Sequence, residues 1–282
     1  MTNMKKKKGK TFMQSPWFIA LSIFTLLVLL FCIGLKIRPA AFVPINEEET
    51  ELQTMPLPAG LPEPVEEFYR TVYGDEIPVI TSVVIQGRGV LKPMLNLPIQ
   101  ARFIFKHNAG KDYSHYFEAT LFGVPILKIR EGYIDGKSYF ESPMGNSQNK
   151  PKANQGANLA LWAEAIWFPS VWITDARVHW EAVNDSTALL YVPFEDSEDF
   201  FVVHFDPKTH LIDLMEAMRY RETEEMSKKI LWICGSRSNG MFQKDHINLI
   251  GDVTWLDQGK PWATFYVEEL DYSADLQVNI QK

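Results

Sequence analysis

Glu164 is the residue in this sequence that is best placed to do chemistry. It lies in the stretch QGANLALWAEAIWF, from Gln155 to Phe168, where almost every neighbour is apolar. A carboxylate in such surroundings needs a raised pKa or a cationic partner, and Arg219 and Arg221 are candidate partners. We interpret Glu164 as one half of a buried ion pair. An exposed side chain and a ligand or catalytic contact are the alternatives.

The histidines are the other residues with chemistry to offer, but their spacing points to no site. None forms an i, i+4 pair or lies in a dense run with acidic residues. Closely spaced ligands are the usual mark of a zinc site, so we predict no metal site and no cofactor. A site assembled from separate strands is the alternative. The six histidines are His107, His115, His179, His204, His210 and His246.

One predicted strand carries an alternating polar face. Arg177, His179 and Glu181 alternate with apolar residues and so share one side of the strand. We interpret this side as a solvated face with cross-strand ion pairs. A general acid–base pair of His179 and Glu181 is the alternative, although the sequence offers no nucleophile to accompany it.

Motifs of the common enzyme classes are missing from the sequence. It contains no nucleophile elbow, no His-Glu-x-x-His, no Walker loop and no Gly-x-Gly-x-x-Gly. The segment Gln86–Gly89 has two glycines near a strand but no helix after it, which indicates a bulge or a close backbone contact rather than a phosphate loop. The sequence therefore favours a protein that is not an enzyme.

The apolar residues of the C-terminal half point to a binding groove. Seven of the eight tryptophans follow position 160, and Phe200–Phe205 is apolar on both faces except at His204. A sheet with two apolar faces must be covered twice or leave a groove. We predict a groove between this sheet and the Glu164 helix, with ordinary core packing as the alternative. The predicted ligand-binding residues are Glu164, Trp162, Trp167, Trp180, His204 and Arg219.

The N-terminal region reads as a membrane anchor. From Trp17 to Leu35 the chain runs for 19 residues without a charge, and a helix of that length spans about 28 Å, the thickness of a bilayer core. The run is longer than the apolar part of a signal peptide and Lys36 and Arg38 follow it directly, so we predict an uncleaved signal-anchor. The lysines of residues 1–16 place the N-terminus in the cytoplasm and the main domain outside the plasma (inner) membrane.

Charge and cysteine content exclude two other classes of protein. Before position 39 the chain has seven basic residues and no acidic one, which leaves 21 basic against 35 acidic residues in the remainder. An acidic domain repels phosphate backbones, so nucleic acid is not a predicted partner. The chain has only two cysteines, and Cys32 lies in the apolar run with Cys234 alone outside it. A disulfide framework within the chain is therefore excluded.

The rest of the chain divides into a linker and a single domain. Proline and glutamate residues mark 36–60 as a linker, and 61–282 forms one extracytoplasmic domain that begins with a short helix near residues 62–73. Turn sequences at Asp135–Gly136, 184–186, 206–209 and 257–260 separate strand pairs. These patterns predict a mainly β (α+β) fold, in which a curved antiparallel sheet or half-barrel of roughly eight to eleven strands wraps one long helix.

A series of different short motifs is found in order from Leu61 to the C-terminus. They are Leu61-Pro62-x-Pro64-Val65, Gln86-Gly87-Arg88-Gly89, Asp135-Gly136, Ala163-Glu164-x-x-Trp167-x-Pro169, Val178-x-Trp180-Glu181, Arg219 and Gly251-Asp252-Val253-x-Trp255. On these motifs the chain resembles an uncharacterised bacterial family of membrane-anchored or secreted proteins, a domain of unknown function. It also looks like the half-barrel carriers of lipoproteins and lipids, which implies a sheet folded over an apolar groove.

Three functions remain open on the sequence alone. The leading one is a non-enzymatic, membrane-tethered domain that binds an apolar ligand or lipid moiety in its groove. The second is a structural or interaction module of the cell envelope whose core is simply filled. The third is a hydrolase-like enzyme whose site is assembled from distant strands.

Overall fold

The computed structural model describes residues 16–44, 52–93, 96–237, 243–244 and 247–272. Four helices and seventeen strands lie in these ranges, with a 3-10 turn over Ala165–Trp167. The helices are α1 Pro16–Gly34, α2 Glu63–Val72, α3 Pro151–Glu164 and α4 Val171–Thr174. The strands are β1 Thr54–Pro56, β2 Glu76–Pro78, β3 Ser82–Leu91, β4 Ile99–Asn108, β5 Asp112–Leu121, β6 Val124–Ile134, β7 Lys137–Ser142, β8 Gly145–Gln148, β9 His179–Asn184, β10 Thr187–Phe194, β11 Ser197–Phe205, β12 Ile212–Tyr220, β13 Lys229–Arg237, β14 Gln243–Lys244, β15 Ile247–Asn248, β16 Ile250–Trp255 and β17 Pro261–Asp271.

One antiparallel sheet dominates the fold. It has 13 strands in the order β8-β7-β6-β5-β4-β3-β17-β16-β13-β12-β11-β10-β9. Within it, neighbours in sequence pair as hairpins, and the pair β3–β17 joins the N-terminal strands to the C-terminal strands. The mainly β fold with a curved antiparallel sheet is confirmed. The estimate of eight to eleven strands was too low, because several strands between β3 and β8 are joined by turns without a strong sequence signal.

The predicted turns lie where the sequence places them. Asp135 and Gly136 have φ values of 50° and 76° and form the two-residue connection between β6 and β7. Positive φ at both positions is what a tight hairpin of this kind requires, and Asp-Gly meets it at low cost. The turns at 184–186, 206–209 and 257–260 lie between β9 and β10, between β11 and β12, and between β16 and β17, which pair in the sheet.

Helix α3 lies against the sheet and is buried along most of its length. Every residue from Asn154 to Ala163 is buried, as a helix that is apolar around its circumference requires. The helix begins at Pro151, earlier than predicted, because proline is well tolerated in the first turn. Leu159 and Trp162 of the helix belong to one core cluster with Phe105, Phe201 and others of the described residues. A recess of about 320 Å³ opens beside Asn158, Leu161 and Trp162.

The two glycines of the Gln86–Gly89 motif allow β3 and β17 to approach closely. A side chain added at Gly87 would overlap the carbonyl oxygen of Tyr266, and one added at Gly89 would lie 2.8 Å from the carbonyl oxygen of Thr264. The pairing of the two strands also shifts register between Val267 and Glu269. The prediction of a bulge or a close backbone contact is therefore confirmed.

The chain between α1 and α2 packs on the domain in two places. Residues 35–44 run along β3, β4 and β5, where Arg88 and Arg102 donate hydrogen bonds to the carbonyl oxygens of Pro39 and Ala40. Further on, β1 pairs with β2. Part of the stretch predicted as a linker thus has a fixed place against the sheet.

Candidate functional site

A buried cluster of two histidines and one glutamate occupies the core beside α3. His107 on β4 and His115 on β5 point toward the helix, and Glu164 is the last residue of α3. The Oε2 atom of Glu164 lies 2.7 Å from Nε2 of His115 and 2.9 Å from Nε2 of His107. Both histidines are buried, at 0% and 2% exposure, whereas the Glu164 side chain is 17% exposed. The strand pairing and the packing of α3 together create this cluster.

The electrostatics of the cluster are those of a buried ion pair. Burial by itself lowers the pKa of His115, but the charges of Glu164 and Glu131 outweigh it and raise that pKa to about 9. Burial by itself raises the pKa of Glu164, but His115 and His107 outweigh it and lower that pKa to about 2. Burial lowers the pKa of His107. At neutral pH His115 is therefore protonated, Glu164 is ionised and His107 is neutral.

The surroundings of the cluster hold His115 firmly but leave His107 less well satisfied. The Nδ1 atom of His115 lies 3.3 Å from Oε1 of Glu131, and its ring stacks on Phe105 with centroids 3.9 Å apart. The ring of His107 packs near the ring of Phe168, with centroids 5.1 Å apart. Neither ring nitrogen of His107 makes a hydrogen bond of good geometry among the described residues, although Nε2 is close to Glu164.

The ion-pair interpretation of Glu164 is supported, but the predicted arginine partners are wrong. Arg221 pairs with Asp257 at 2.9 Å and with Glu222. Arg219 lies with its guanidinium 4.2 Å from the ring centroid of Trp232 and 5.6 Å from that of Trp255. Arginine appeared the natural partner because its charge is permanent, whereas the charge of His115 arises only from its neighbours in the fold.

The other predicted ligand-binding residues are dispersed, with the tryptophans packed among different neighbours and His204 at a half-exposed position. Trp162 is 1% exposed, and its carbonyl oxygen accepts a hydrogen bond from Trp172. The indole of Trp167 packs at Gly251. Trp180 lies edge-on to Trp172, and His204 pairs with Glu216 at 3.3 Å. A ligand-binding role for these six residues stays a prediction.

The polar face of β9 is solvated, as we interpreted it. His179 and Glu181 are exposed. His179 stacks on Tyr191 at 4.6 Å and lies 3.5 Å from Glu198, and Tyr191 donates a hydrogen bond to Glu181. These are cross-strand contacts of ordinary type. Arg177 lies just before the strand and pairs with Asp175.

A large open recess lies on the other face of the sheet. Ile104 and Lys106 alternate along β4 with the core residues Phe103 and Phe105, so they face away from α3. Here the strands β4 to β8 enclose a recess of about 860 Å³, which we call the trough. Its lining includes Ile104, Lys106, Tyr116, Arg130, Lys137 and Tyr139.

The lining of the trough combines cations with apolar surface. Lys106, Arg130 and Lys137 supply positive charge and Glu141 a single negative charge. Ile104 and Ile134 supply aliphatic surface, and two tyrosine rings also line the recess. A second recess of about 400 Å³ continues it, sharing Tyr116 and Arg130 and adding Lys128. Such a surface suits a ligand with an anionic group and an apolar part.

Sequence reasoning missed His107, His115 and the trough. The two histidines are eight positions apart, and only the pairing of β4 with β5 brings them together. An alternation of apolar and polar residues on both strands was the available signal, with each histidine falling on the apolar face. The absence of a metal site, inferred from spacing, stays a prediction.

The comparisons with known proteins define a family. Residues 51–266 match DUF6544, a family of unknown function, and the chain belongs to it. A comparison with curated proteins gives no match.

Three solved structures are similar to this chain at low identity. One is a domain from Vibrio parahaemolyticus named for outer membrane lipoprotein sorting, at 10% identity and TM-score 0.42, covering 77% of this chain and 94% of its own. Another is a LolA superfamily protein from Nitrosomonas europaea, at 7% identity and TM-score 0.41, with 75% of this chain and 92% of that protein covered. The third is a DUF1329 family protein from Desulfovibrio piger, at 12% identity and TM-score 0.40, with 77% of this chain and 96% of that protein covered. At such low identities nothing about ligands follows from them.

Proposed function

We propose that this chain is a single-pass membrane protein whose half-barrel lies on the bilayer surface and binds a lipid moiety with an anionic group in the trough. The observation that carries the proposal is the lining of the trough, where cations and apolar surface meet on the side of the sheet that faces the anchor segment. Phe42, eight residues after α1 ends, packs on Tyr116 of the trough with ring centroids 6.2 Å apart.

Helix α1 supports the tether. It has 19 residues with a mean hydropathy of 2.6 over its best window, of which 6% is buried within the described structure. A helix that is exposed along most of its length and apolar on all sides suits a bilayer rather than water. The basic N-terminal flank favours a cytoplasmic N-terminus and an extracytoplasmic half-barrel.

The hairpin between β5 and β6 indicates how the half-barrel lies on the membrane. Its tip contacts the end of α1, because the amide of Phe122 donates a hydrogen bond of 2.9 Å to the carbonyl oxygen of Gly34. At this tip Phe122, Val124 and Ile126 are 46%, 62% and 59% exposed. If α1 crosses the bilayer, these apolar side chains lie at its surface, where burying them is favourable.

The exposed residues of β6 change from apolar to basic along the strand. Val124 and Ile126 lie at the hairpin tip, and Lys128 and Arg130 follow them, about 13 Å from Val124 to Lys128. This order matches the order of layers at a membrane surface, with the apolar residues at the edge of the acyl chains and the basic residues at the phosphate headgroups. Because Lys128 and Arg130 also line the recesses, the trough opens just above the headgroups.

The docking of the hairpin is testable with an environment-sensitive fluorophore. The full chain, with Cys32 and Cys234 replaced by serine, would carry a single cysteine-linked label at position 26, 124 or 183 in lipid vesicles. We expect the label at 26 to be quenched by quenchers placed deep in the bilayer, and the label at 124 by quenchers placed at the interface. The label at 183 should not be quenched by either, because Val183 is exposed on β9, away from the hairpin. An unquenched label at 124 with a quenched label at 26 would reject the docking and keep the tether. An unquenched label at 26 would reject the tether itself.

Binding in the trough is testable with a fluorescent fatty acid. The full chain in detergent-free nanodiscs should bind the probe saturably, and Arg130→Glu should weaken that binding about tenfold or more, since it replaces an attraction of about 1.5–3 kcal/mol by repulsion. Lys208→Glu is the matched control, because Lys208 lies in the exposed turn between β11 and β12. Binding that is unchanged in Arg130→Glu would reject the trough as the site.

A structural or interaction module is the second candidate, and the large apolar cluster that α3 forms with the sheet favours it. The same titration separates the two functions. Absence of any saturable binding to the wild-type chain would leave the structural module as the better proposal.

A further inference from the structure

The cluster of His107, His115 and Glu164 has the donor atoms of a metal site. Two imidazole nitrogens and one carboxylate oxygen lie within 4.8 Å of one another, and each comes from a different element of the fold. We propose that these three side chains bind one divalent cation of the zinc class. This inference is independent of the trough and of the membrane tether.

The donor set selects the class of cation. Two imidazoles and a carboxylate suit Zn²⁺ and its neighbours in the first transition row, whereas Mg²⁺ and Ca²⁺ prefer oxygen donors. Zn²⁺ is commonly held by two histidines and one glutamate, with a water or another ligand in the fourth position. Glu164 is 17% exposed, so this fourth position has a path to solvent on the side of the glutamate.

The ring nitrogens of His107 are the least well satisfied polar atoms of the cluster. It is completely buried, and both of its ring nitrogens lack a hydrogen bond of good geometry among the described residues. Buried polar groups are nearly always partnered, and an exception calls for a specific reason. A cation between Nε2 of His107 and Oε2 of Glu164 would supply the partner that Nε2 lacks.

Glu131 contacts the ring nitrogen of His115 that does not face Glu164. Its Oε1 lies 3.3 Å from Nδ1 of His115, while Nε2 of the same ring faces Glu164. A carboxylate that holds the far nitrogen of a metal-bound histidine is a regular feature of zinc sites, since it fixes the ring and makes the ligand more basic.

Admitting the cation requires rearrangement of the three side chains. Ligand atoms bound to Zn²⁺ at about 2.0–2.1 Å in a tetrahedral arrangement are about 3.3 Å apart. Here the two Nε2–Oε2 separations are 2.7 and 2.9 Å, so these pairs need to move apart by about half an ångström. The two imidazole nitrogens, which lie within 4.8 Å of each other, need to settle at the same separation of about 3.3 Å.

Metal titration of the full chain in detergent, after treatment with a chelator, tests the proposal. We expect one Zn²⁺ per chain, and one Co²⁺ with the intense visible absorption of a tetrahedral site. His107→Gln should abolish saturable binding, and Glu131→Gln should weaken it about 10–100-fold. His204→Gln is the matched control, because His204 also pairs with a glutamate, but at a half-exposed position.

The variants remain informative even if the core tolerates them poorly. Glu131 is 37% exposed, so Glu131→Gln should fold whether or not His107→Gln does, and melting of each variant in chelator checks this. Failure of the wild-type chain to bind either ion stoichiometrically would overturn the proposal. Binding that is as tight in Glu131→Gln as in the wild type would overturn it equally, as would loss of binding in His204→Gln alone.

Discussion

Glu164→Gln should lower the free energy of unfolding by about 3–5 kcal/mol in the presence of a chelator. The substitution leaves His115 buried at 2% exposure without the nearer of the two carboxylates that stabilise its charge. Glu131 remains, at 3.3 Å and with a side chain 37% exposed. Removing one partner of a buried ion pair typically has a cost of this size, because the remaining charge is desolvated and less well compensated. Glutamine is close to glutamate in shape, so packing changes contribute little.

Urea unfolding of the full chain in detergent, followed by tryptophan fluorescence, measures this difference. Glu198→Gln is the matched control, because Glu198 faces His179 at 3.5 Å with a side chain 47% exposed, and an exposed pair contributes at most about 1 kcal/mol. If the two variants lose the same small amount of stability, Glu164 is not part of a buried charge pair.

The helix α3 and the hairpins follow from local sequence patterns. Asp135-Gly136 satisfies the conformation of a tight turn by its own chemistry, and the apolar circumference of 155–168 requires burial wherever the chain goes. Such features are properties of a few consecutive residues, which is why the mainly β half-barrel with one buried helix could be predicted.

The partners of Glu164 could not be predicted, because they depend on strand register. His115 reaches Glu164 only when β4 and β5 pair so that Phe105 lies opposite His115, and a shift of one residue would turn the histidines to the other face. The trough depends in the same way on which side chains of four or more strands face outward together. Sequence periodicity assigns residues to faces, but it does not say which strands become neighbours.

The close contact of β3 with β17 leads to the other large effect, at Gly87. A methyl group at Gly87 would overlap the carbonyl oxygen of Tyr266 and lie 2.9 Å from the ring of Phe103. A backbone oxygen in a paired strand has no rotamer to change, so relief requires the two strands to separate. Gly87→Ala should therefore destabilise the protein by about 3 kcal/mol or more, at the upper end of what overpacking costs.

Gly235 on β13 provides the comparison for this substitution within the same sheet. A methyl group there would meet only Asp252, at 3.6 Å, which is ordinary contact. Gly235→Ala should change the free energy of unfolding by about 1 kcal/mol or less, and the reduced freedom of the unfolded chain acts in the stabilising direction. Because β3–β17 joins the two halves of the sheet, Gly87→Ala should also increase hydrogen exchange along both strands. Equal stability of the two alanine variants would show that the strands separate at no cost, and that the glycines of Gln86–Gly89 are not required for the junction.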